Sequence, residues 1–352
     1  MAFLFCAQYD IIKLVILMGK VNYLLKRITS MNYKQMFNTI NEVHEKSGKN
    51  RVGIFFDIIN CGIKYQAGYM DYKLFEMYDL NKEQRKTIIT RGINNSIVKQ
   101  FNNPTEMKNL RNKISFNKKF NKYLQRDWME VTEDNYEDFK QFVEKHNEII
   151  IKPVADCCGK GIEKIKVNKK NCKDIYNNIL ETNRILIEEV AVQCPELSKL
   201  HPSSINTIRM VTLNQSIVVA FLRIGNNNDV VDNFNHGGLV APINIETGII
   251  DYLAIDKKGN LHEKHPITNE SILWLNIPKW NKIKKFVEQA SKEIPEVGYV
   301  GWDICVSEKG PLIIEANEFP GHDVYQLPPH RTNGIGLYPR FKEAMNKKDK
   351  ED

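Results

Sequence analysis

The sequence predicts an α+β protein with a mostly helical N-terminal region. Over residues 32 to about 112, apolar residues recur at helical spacing, whereas from about residue 113 short apolar runs alternate with helical segments. Turn residues bound the short runs. This pattern favours short strands paired by turns, with helices added, over a doubly wound parallel sheet.

The helical region is predicted from periodicity and from a capping signal. Tyr33 to Val43 repeats apolar residues at helical spacing, and Asn81 is followed three residues later by Gln84, which has the form of a capping box. The aromatic-rich stretch Tyr69 to Tyr78 lies between them. It is interpreted as a core helix face, with a wall of a substrate pocket as the alternative.

The rest of the chain is predicted as alternating strands and helices. Strands are expected at 148–152, 162–167, 185–188, 207–213, 217–224, 239–245, 249–255, 299–306 and 312–316. Helices are expected at 134–146, 172–180 and 279–291. The predicted parts are an N-terminal extension 1–31, a helical domain 32–112, two mixed parts 113–190 and 191–346, and a charged tail 347–352.

The distribution of charge along the chain indicates which classes of binding partner are compatible with it, but does not choose among them. The chain carries a net charge of +7, and the segment from Lys82 to Arg126 holds twelve lysines and arginines against two glutamates. Such a segment suits nucleic acid, an acidic membrane surface or an anionic small substrate, with a solvated helical surface as the alternative. The balance of 42% hydrophobic and 26% charged residues excludes collagen, a coiled coil and wholesale disorder.

The cysteines and the apolar N-terminal stretch indicate where in the cell the protein is located. The seven cysteines are scattered and include no Cys-x-x-Cys pair, so a disulfide framework and a zinc site are not indicated, and a cytoplasmic protein is expected. Gln8, Asp10 and Lys13 interrupt the apolar stretch from Phe3 to Met18, and a membrane span needs roughly 18–20 apolar residues. Membrane contact is expected to be peripheral at most.

Three oxygen-bearing side chains near the C-terminus predict a divalent cation site. Glu315 and Asn317 share a strand face because side chains alternate, and a hairpin partner would bring Asp303 alongside. Two carboxylates and an amide oxygen are hard ligands that suit Mg²⁺ better than zinc. Buried among apolar strands without a cation, these carboxylates would be costly.

Basic residues at strand ends predict anion binding. Lys152 ends an apolar strand ahead of the turn Gly159-Lys160-Gly161, where backbone N–H groups can approach a phosphate without obstruction from Cβ atoms. A common glycine hairpin is the alternative. Arg209 and Arg223 lie in apolar strands and are expected to pair with a carboxylate or contact an anion.

In their order along the chain, these motifs resemble the ATP-grasp superfamily, and more closely its sugar-transfer-associated branch, which is related to α-L-glutamate ligases. The resemblance covers roughly residues 50 to 345. The matching text includes Asn117-Lys118, Arg126-Asp-Trp128, Ile151-Lys152-Pro153, Glu188-Glu189, Pro202 to Arg209, Asn235-His236-Gly237-Gly238, Gly301-Trp302-Asp303 and Glu315-Ala-Asn317.

The resemblance implies an ATP-grasp fold in which two α+β subdomains, 113–190 and 191–346, clasp ATP. It implies that the ATP phosphates contact Lys118, Lys152 and a lid containing Gly159, Lys160 and Gly161. It further implies adenine recognition by Glu188, Glu189 and Val190 and ribose binding by Glu196. Two Mg²⁺ ions, with Mn²⁺ as an alternative, would bind Asp303, Glu315 and Asn317.

Two departures from the family pattern concern the lid and the metal strand. Cys157 and Cys158 stand where the family usually has small residues such as Ser and Gly. D-Ala–D-Ala ligases place an arginine two residues before the aspartate, whereas Gly301 precedes Asp303 here. Arg209 or Arg223 is therefore expected to stabilise the transferred phosphoryl group.

The implied reaction is an ATP-dependent ligation in which a carboxylate is phosphorylated and an amine then displaces phosphate. The carboxylate of an amino acid or uronic acid and an amine are the expected substrates, with nucleotide-sugar or lipid-linked forms among them. Candidate substrate residues are Tyr69, Tyr72, Asn206, His236, Gly237, Gly238 and His322. An ATP-grasp kinase acting on a sugar-type hydroxyl is the alternative. A nucleic-acid-binding module is less favoured, because binding of nucleic acid would not require Asp303, Glu315 and Asn317.

Overall fold

The computed structural model describes residues 32–154, 161–226, 234 and 237–347. The extension 1–31, the lid residues 155–160 that include Gly159 and Lys160, His236, and the tail after Lys347 lie outside these residues. The chain divides into two compact units between Asp79 and Leu80. The boundaries predicted at residues 112 and 190 remain a prediction.

The first unit is helical. It contains α1 (Tyr33–Ser47), α2 (Arg51–Tyr65) and α3 (Tyr69–Leu74), followed by a short 3₁₀ turn (Met77–Asp79). Asn32 and Asn50 cap the first two helices, since their side chains accept backbone N–H groups of the first turn. Helix α1 runs past the predicted end at Val43 to the left-handed Gly48 (φ 69°), where the chain can leave the helix without strain.

The second unit opens with four helices. They are α4 (Lys82–Arg85), α5 (Arg91–Phe101), α6 (Pro104–Arg111) and α7 (Lys113–Leu124). The predicted capping box is confirmed, because Asn81 Oδ1 accepts the N–H of Gln84 at 3.0 Å while Gln84 Oε1 accepts the N–H of Asn81 at 2.8 Å. The helical stretch continues to Leu124, beyond the predicted limit at about 112.

A four-stranded antiparallel sheet follows, with strand order β1-β4-β2-β3. Its members are β1 (Trp128–Glu130), β2 (Glu148–Lys152), β3 (Glu163–Lys166) and β4 (Leu186–Glu189). Helices α8 (Tyr136–Lys145) and α9 (Cys172–Glu181) pack on it through a core that includes Phe139, Tyr176 and Ile187. Strand β1 was not predicted, because its three half-buried residues show no alternation of apolar and polar side chains.

A seven-stranded antiparallel sheet forms the rest of the second unit, in the order β11-β10-β5-β6-β7-β8-β9. Its strands are β5 (Ile208–Leu213), β6 (Ser216–Ile224), β7 (Leu239–Pro242), β8 (Ala254–Ile255), β9 (Leu261–His262), β10 (Tyr299–Val306) and β11 (Pro311–Asn317). The accompanying helices are α10 (Pro195–Ser198), α11 (Trp280–Ser291) and α12 (Tyr338–Asn346). Two antiparallel sheets with helices on their faces confirm the predicted α+β class.

The large sheet is packed on both faces. Trp280 and Val287 of α11 join the core on one side with Trp302, whereas Phe341 of α12 packs on the other side with Phe221. The strand predicted at 249–255 is much shorter than expected, because the backbone of Ile250 pairs with residues 274 and 275 instead. Among the helices of the described ranges, none has the length and apolar character needed to cross a membrane.

Candidate functional site

Four charged side chains converge on one face of the large sheet. In the register of the strands, Asp303 of β10 lies between Arg209 of β5 and Glu315 of β11. Arg209 donates to both carboxylate oxygens of Asp303, with Nη2 2.8 Å from Oδ2, and Nη1 of Arg223 lies 3.0 Å from the same Oδ2. The predicted juxtaposition of Asp303 and Glu315 is confirmed, and the expected carboxylate partner of the two arginines is Asp303.

The two carboxylates have opposite electrostatic environments. Burial would raise the pKa of Asp303, but the guanidinium groups of Arg209 and Arg223 lower it to about 2. Burial, together with the neighbouring charge of Asp303, raises the pKa of Glu315. A divalent cation beside both carboxylates would relieve this repulsion, so the donor set fits a hard metal ion.

Gly301 makes room for one of the arginines. A Cβ atom at position 301 would lie 3.3 Å from Cδ and 3.5 Å from Nη1 of Arg209. The missing side chain therefore lets the Arg209 side chain lie against the β10 backbone beside Asp303. Asn317 is paired with Gly301 across the strands, and its Nδ2 is 3.5 Å from Oε1 of Glu315.

A second charged cluster lies at the end of the small sheet. Lys152, the last residue of β2, is buried with its Nζ 2.6 Å from Oε2 of Glu188. Glu188 also accepts from Nε of Arg126 at 3.0 Å and from Nδ2 of Asn117 at 2.9 Å. Burial opposes ionisation of Glu188, but the charges of Arg126 and Lys152 lower its pKa. Two cations and one anion leave this cluster with a net positive charge.

Arg126 joins the two clusters. Its Nη1 donates to the backbone oxygen of Ile313 at 2.6 Å, and its Nη2 donates to that of Ile314 at 3.2 Å. These carbonyls belong to β11 and immediately precede Glu315. One guanidinium therefore holds the Glu188–Lys152 pair of the small sheet against the carboxylate-bearing strand of the large sheet.

Sequence reasoning did not assign a role to Arg126 or Asn117. Both fall within the motifs that carry the family resemblance, and a single arginine or asparagine in a basic segment is a weak signal in itself. Their convergence on Glu188 depends on packing between segments that lie 62 and 71 residues apart.

The other predicted nucleotide residues lie on several elements of the second unit. Lys118 is exposed on α7, with its Nζ 3.5 Å from Oε2 of Glu130. Glu189 accepts the N–H of Asp127 at 2.9 Å, Val190 follows it half-buried, and Glu196 is exposed in the first turn of α10. Gly161 adopts φ 71°, which favours glycine.

Two of the predicted substrate residues have hydrogen-bond partners within the fold. Asn206 is fully buried, and its Nδ2 donates to the backbone oxygens of Leu197 and His201 while its Oδ1 accepts the N–H of Gly225. Tyr72 is buried in the helical unit and donates its hydroxyl to Asp57 at 2.8 Å. These polar groups serve the fold, and the assignment of Asn206 and Tyr72 to the substrate pocket remains a prediction.

The remaining candidate substrate residues have varied surroundings. Tyr69 lies in the helical unit and donates to Gln35 at 3.1 Å. Gly237 adopts φ 96° with open space around its Cβ position, and Gly238 directly precedes β7. His322 is half-buried in the segment after β11.

Comparisons with known proteins give a family and a fold. The model of a family described as sugar-transfer associated ATP-grasp matches residues 92–346. None of the curated proteins matches the chain.

Solved structures with a similar fold are ligases and a synthetase. The ATP-grasp ligase PsnB complexed with its minimal precursor is 13% identical over 70% of this chain and 64% of its own, with a TM-score of 0.42. D-alanine–D-alanine ligase from Bacillus anthracis is 12% identical over 72% and 73%, with a TM-score of 0.43. The D-cycloserine synthetase DcsG is 10% identical over 68% and 70%, with a TM-score of 0.40. The chain thus spans just under two thirds of PsnB.

Proposed function

The chain belongs to the sugar-transfer associated ATP-grasp family and has the ATP-grasp fold, and from this premise we propose that it is an ATP- and magnesium-dependent carboxylate–amine ligase. The observation that carries the proposal is the bridge made by Arg126. It links Lys152, a cation suited to phosphate, to the strand that bears Glu315. ATP phosphates and a metal ion would therefore share one site.

The carboxylate pair supplies the metal ligands in this proposal. Asp303, Glu315 and Asn317 would hold two Mg²⁺ ions, which Mn²⁺ could replace. The pairing of Glu315 with Asp303 across neighbouring strands supports this assignment, because two adjacent carboxylates are hard donors that suit a divalent cation. When bound, magnesium neutralises charge on the phosphates and orients them.

The small sheet supplies the nucleotide contacts. Lys152 and Lys118 would bind the phosphates, with the lid residues Gly159, Lys160 and Gly161 over them. The backbone from Glu188 to Val190 would recognise adenine, and Glu196 the ribose. The net positive charge of the Arg126–Glu188–Lys152 cluster supports phosphate binding beside it.

The reaction requires charge neutralisation and alignment more than a protein nucleophile. The substrate carboxylate attacks the γ-phosphorus of ATP, the bond to the β-phosphate oxygen breaks, and an acyl phosphate and ADP result. The amine then attacks the acyl carbon, loses a proton and displaces inorganic phosphate, which leaves an amide. Arg209, Arg223 and Lys152 would stabilise negative charge on the transferred group.

The family description names an association with sugar transfer, and on that ground we propose a substrate from surface-polysaccharide biosynthesis. We propose the carboxylate of an amino acid or a uronic acid as the first substrate and an amino sugar or amino acid amine as the second, free or as nucleotide-sugar or lipid-linked forms. His236, Gly237, Gly238 and His322 remain the candidates for this pocket. The four cysteines among the described residues are buried and not disulfide-bonded, which supports a location in the reducing cytoplasm. Membrane contact would be peripheral at most.

A paired-substrate screen tests this function. Release of ADP is measured with amino acids, uronic acids and amino sugars in all pairs, for wild type, Glu315→Ala and a control, Glu343→Ala, at an exposed glutamate of α12. We expect ADP release only with a carboxylate and an amine together, and its loss in Glu315→Ala alone. ADP release with a hydroxyl acceptor and no amine would instead identify a kinase.

A further inference from the structure

Strand β11, which bears Glu315 and Asn317, ends at its last backbone pairing with β10. The last pair between β10 and β11 joins Gly301 to Asn317, and the chain then leaves the sheet as Glu318-Phe319-Pro320. A strand end without further partners frays. Metal ligands, by contrast, must be held within about 0.5 Å of their working positions.

Side chains from two preceding helices hold this exit segment. Asn102, the residue that caps α5, donates its Nδ2 to the backbone oxygens of Glu318 at 2.7 Å and Tyr299 at 2.8 Å. Its Oδ1 accepts the N–H of Tyr299 at 2.8 Å. Asn102 therefore binds the start of β10 and the end of β11 at the same time.

Asn94 makes a second contact with the exit segment, two residues after Glu318. It is fully buried on α5, and its Nδ2 donates to the backbone oxygen of Pro320 at 3.2 Å. Its Oδ1 accepts the hydroxyl of Tyr299 at 2.8 Å, and that hydroxyl also lies 3.1 Å from the hydroxyl of Tyr325. Both ends of the Asn94 amide are thus used within one buried network.

Arg111 of α6 makes a third contact, with the side chain of Glu318. Its Nε donates to Oε1 of Glu318 at 2.7 Å, and its Nη2 contacts the same oxygen. The side chain of Glu318 is 11% exposed, whereas that of Arg111 is 59% exposed. This ion pair neutralises a third buried carboxylate, that of Glu318, which follows Glu315 by three residues in the chain.

We propose that Asn94, Asn102 and Arg111 are positioning residues for the metal-binding end of β11. They hold Glu318 and Pro320 and thereby fix Asn317 and Glu315. This inference rests on the proposed function, since it assigns these residues to the magnesium site. It makes α5 and α6 parts of the catalytic unit, although they precede both nucleotide-binding subdomains in the chain.

Magnesium dependence tests the proposal on the full chain. MgCl₂ is titrated at fixed ATP, and the rise in unfolding temperature reports binding of Mg·ATP without knowledge of the second substrate. Since residues that support metal ligands typically cost 10–100-fold in metal affinity or activity when replaced, we expect Arg111→Met to raise the half-saturating MgCl₂ concentration about tenfold. Because Arg111 is exposed, this variant should still fold.

Matched variants separate positioning from packing. Lys108→Met removes the same charge from an exposed position on the same helix and should leave the magnesium requirement unchanged. Arg111→Lys should restore part of the affinity through its remaining cation. Asn94→Ala should raise the requirement, whereas Asn95→Ala at the exposed neighbouring position should not.

Two results would overturn the inference, and they are distinguishable. If wild type gains stability with Mg·ATP but Arg111→Met and Asn94→Ala keep its magnesium requirement, the three residues serve folding only. If wild type itself shows no response to Mg·ATP, the proposed function fails and the positioning role falls with it.

Discussion

At the scale of single residues, Glu188 accepts hydrogen bonds from Asn117, Arg126 and Lys152. Its carboxylate is shared by Arg126 and Lys152, and all three side chains are buried. Removal of one partner from a buried charged network leaves the other charges without compensation, which costs about 3–5 kcal/mol. The arrangement is therefore sensitive to a change that keeps the shape of the side chain and removes its charge.

Glu188→Gln should lower the free energy of unfolding by about 3 kcal/mol at neutral pH, because two buried cations lose their anion. Urea unfolding checks this value. Glu196→Gln, at an exposed glutamate of α10, is the control and should change stability by less than about 0.5 kcal/mol. Equal stabilities of wild type and Glu188→Gln would show that the ion pairs contribute nothing.

The same pair of proteins predicts a pH dependence. The pKa of Glu188 is lowered in the folded state, so its stabilising contribution is present above its ordinary pKa of 4.5 and is lost as the pH falls below that value. The difference in unfolding free energy between wild type and Glu188→Gln should be constant from pH 8 to about pH 5.5 and should shrink towards pH 4. A difference that grows on acidification would contradict the assignment.

Gly301→Ala tests the space occupied by Arg209. The new Cβ would meet Cδ of Arg209 at 3.3 Å, so the Arg209 side chain must move by a few tenths of an ångström beside Asp303. We expect ADP formation to fall at least tenfold while the protein stays folded. Gly53→Ala, where nothing lies within 4 Å of the added atom, is the control. Unchanged ADP formation in Gly301→Ala would argue that the position of Arg209 is not critical.

Part of the site could be predicted residue by residue. The period of two along a strand places Glu315 and Asn317 on one face, and hairpin pairing brings Asp303 alongside, so local rules suffice. The Arg126–Glu188–Lys152 cluster could not be derived in this way, because it depends on how one sheet packs against another. The hydrogen bonds from Asn206 to the backbone of Leu197 and His201 likewise could not be derived from its motif, because they form only when the chain folds.

At the scale of elements, capping and strand pairing explain what was predicted and what was missed. The capping box at Asn81 follows from residue types at a fixed spacing and is present in the structure. Strand β1 pairs with β4, where Trp128 lies opposite Glu188, and the strand near 254 is short because Ile250 pairs with residues 274 and 275. Local patterns carry no information about such partners.

Asn81→Ala should destabilise the second unit by about 1 kcal/mol, because two backbone N–H groups lose their acceptor. Thermal unfolding measures this change. Asn95→Ala removes an asparagine from an exposed position inside α5, where alanine favours the helix, and should be neutral or slightly stabilising. A loss of stability in Asn95→Ala equal to that of Asn81→Ala would show that capping is not the cause.

At the scale of the whole molecule, the second unit contains its own cores. The three clusters of buried apolar side chains in the two sheets consist entirely of residues after 79, and the family match 92–346 lies within the same unit. The chain from Leu80 to Lys347 should therefore fold cooperatively without the helical unit and still gain stability from Mg·ATP. A fragment that stays unfolded, while the full chain binds Mg·ATP, would show that the helical unit is required for folding.

The most direct measurement of the central claim follows a labelled oxygen. The carboxylate substrate identified by the screen is labelled with ¹⁸O in both oxygens, and the inorganic phosphate released with the amine present is analysed by mass spectrometry. An acyl phosphate intermediate predicts one ¹⁸O atom in each phosphate, since the carboxylate oxygen that attacks ATP leaves with the phosphoryl group. Unlabelled phosphate, or a phosphorylated hydroxyl product without release of phosphate, would contradict the ligase account.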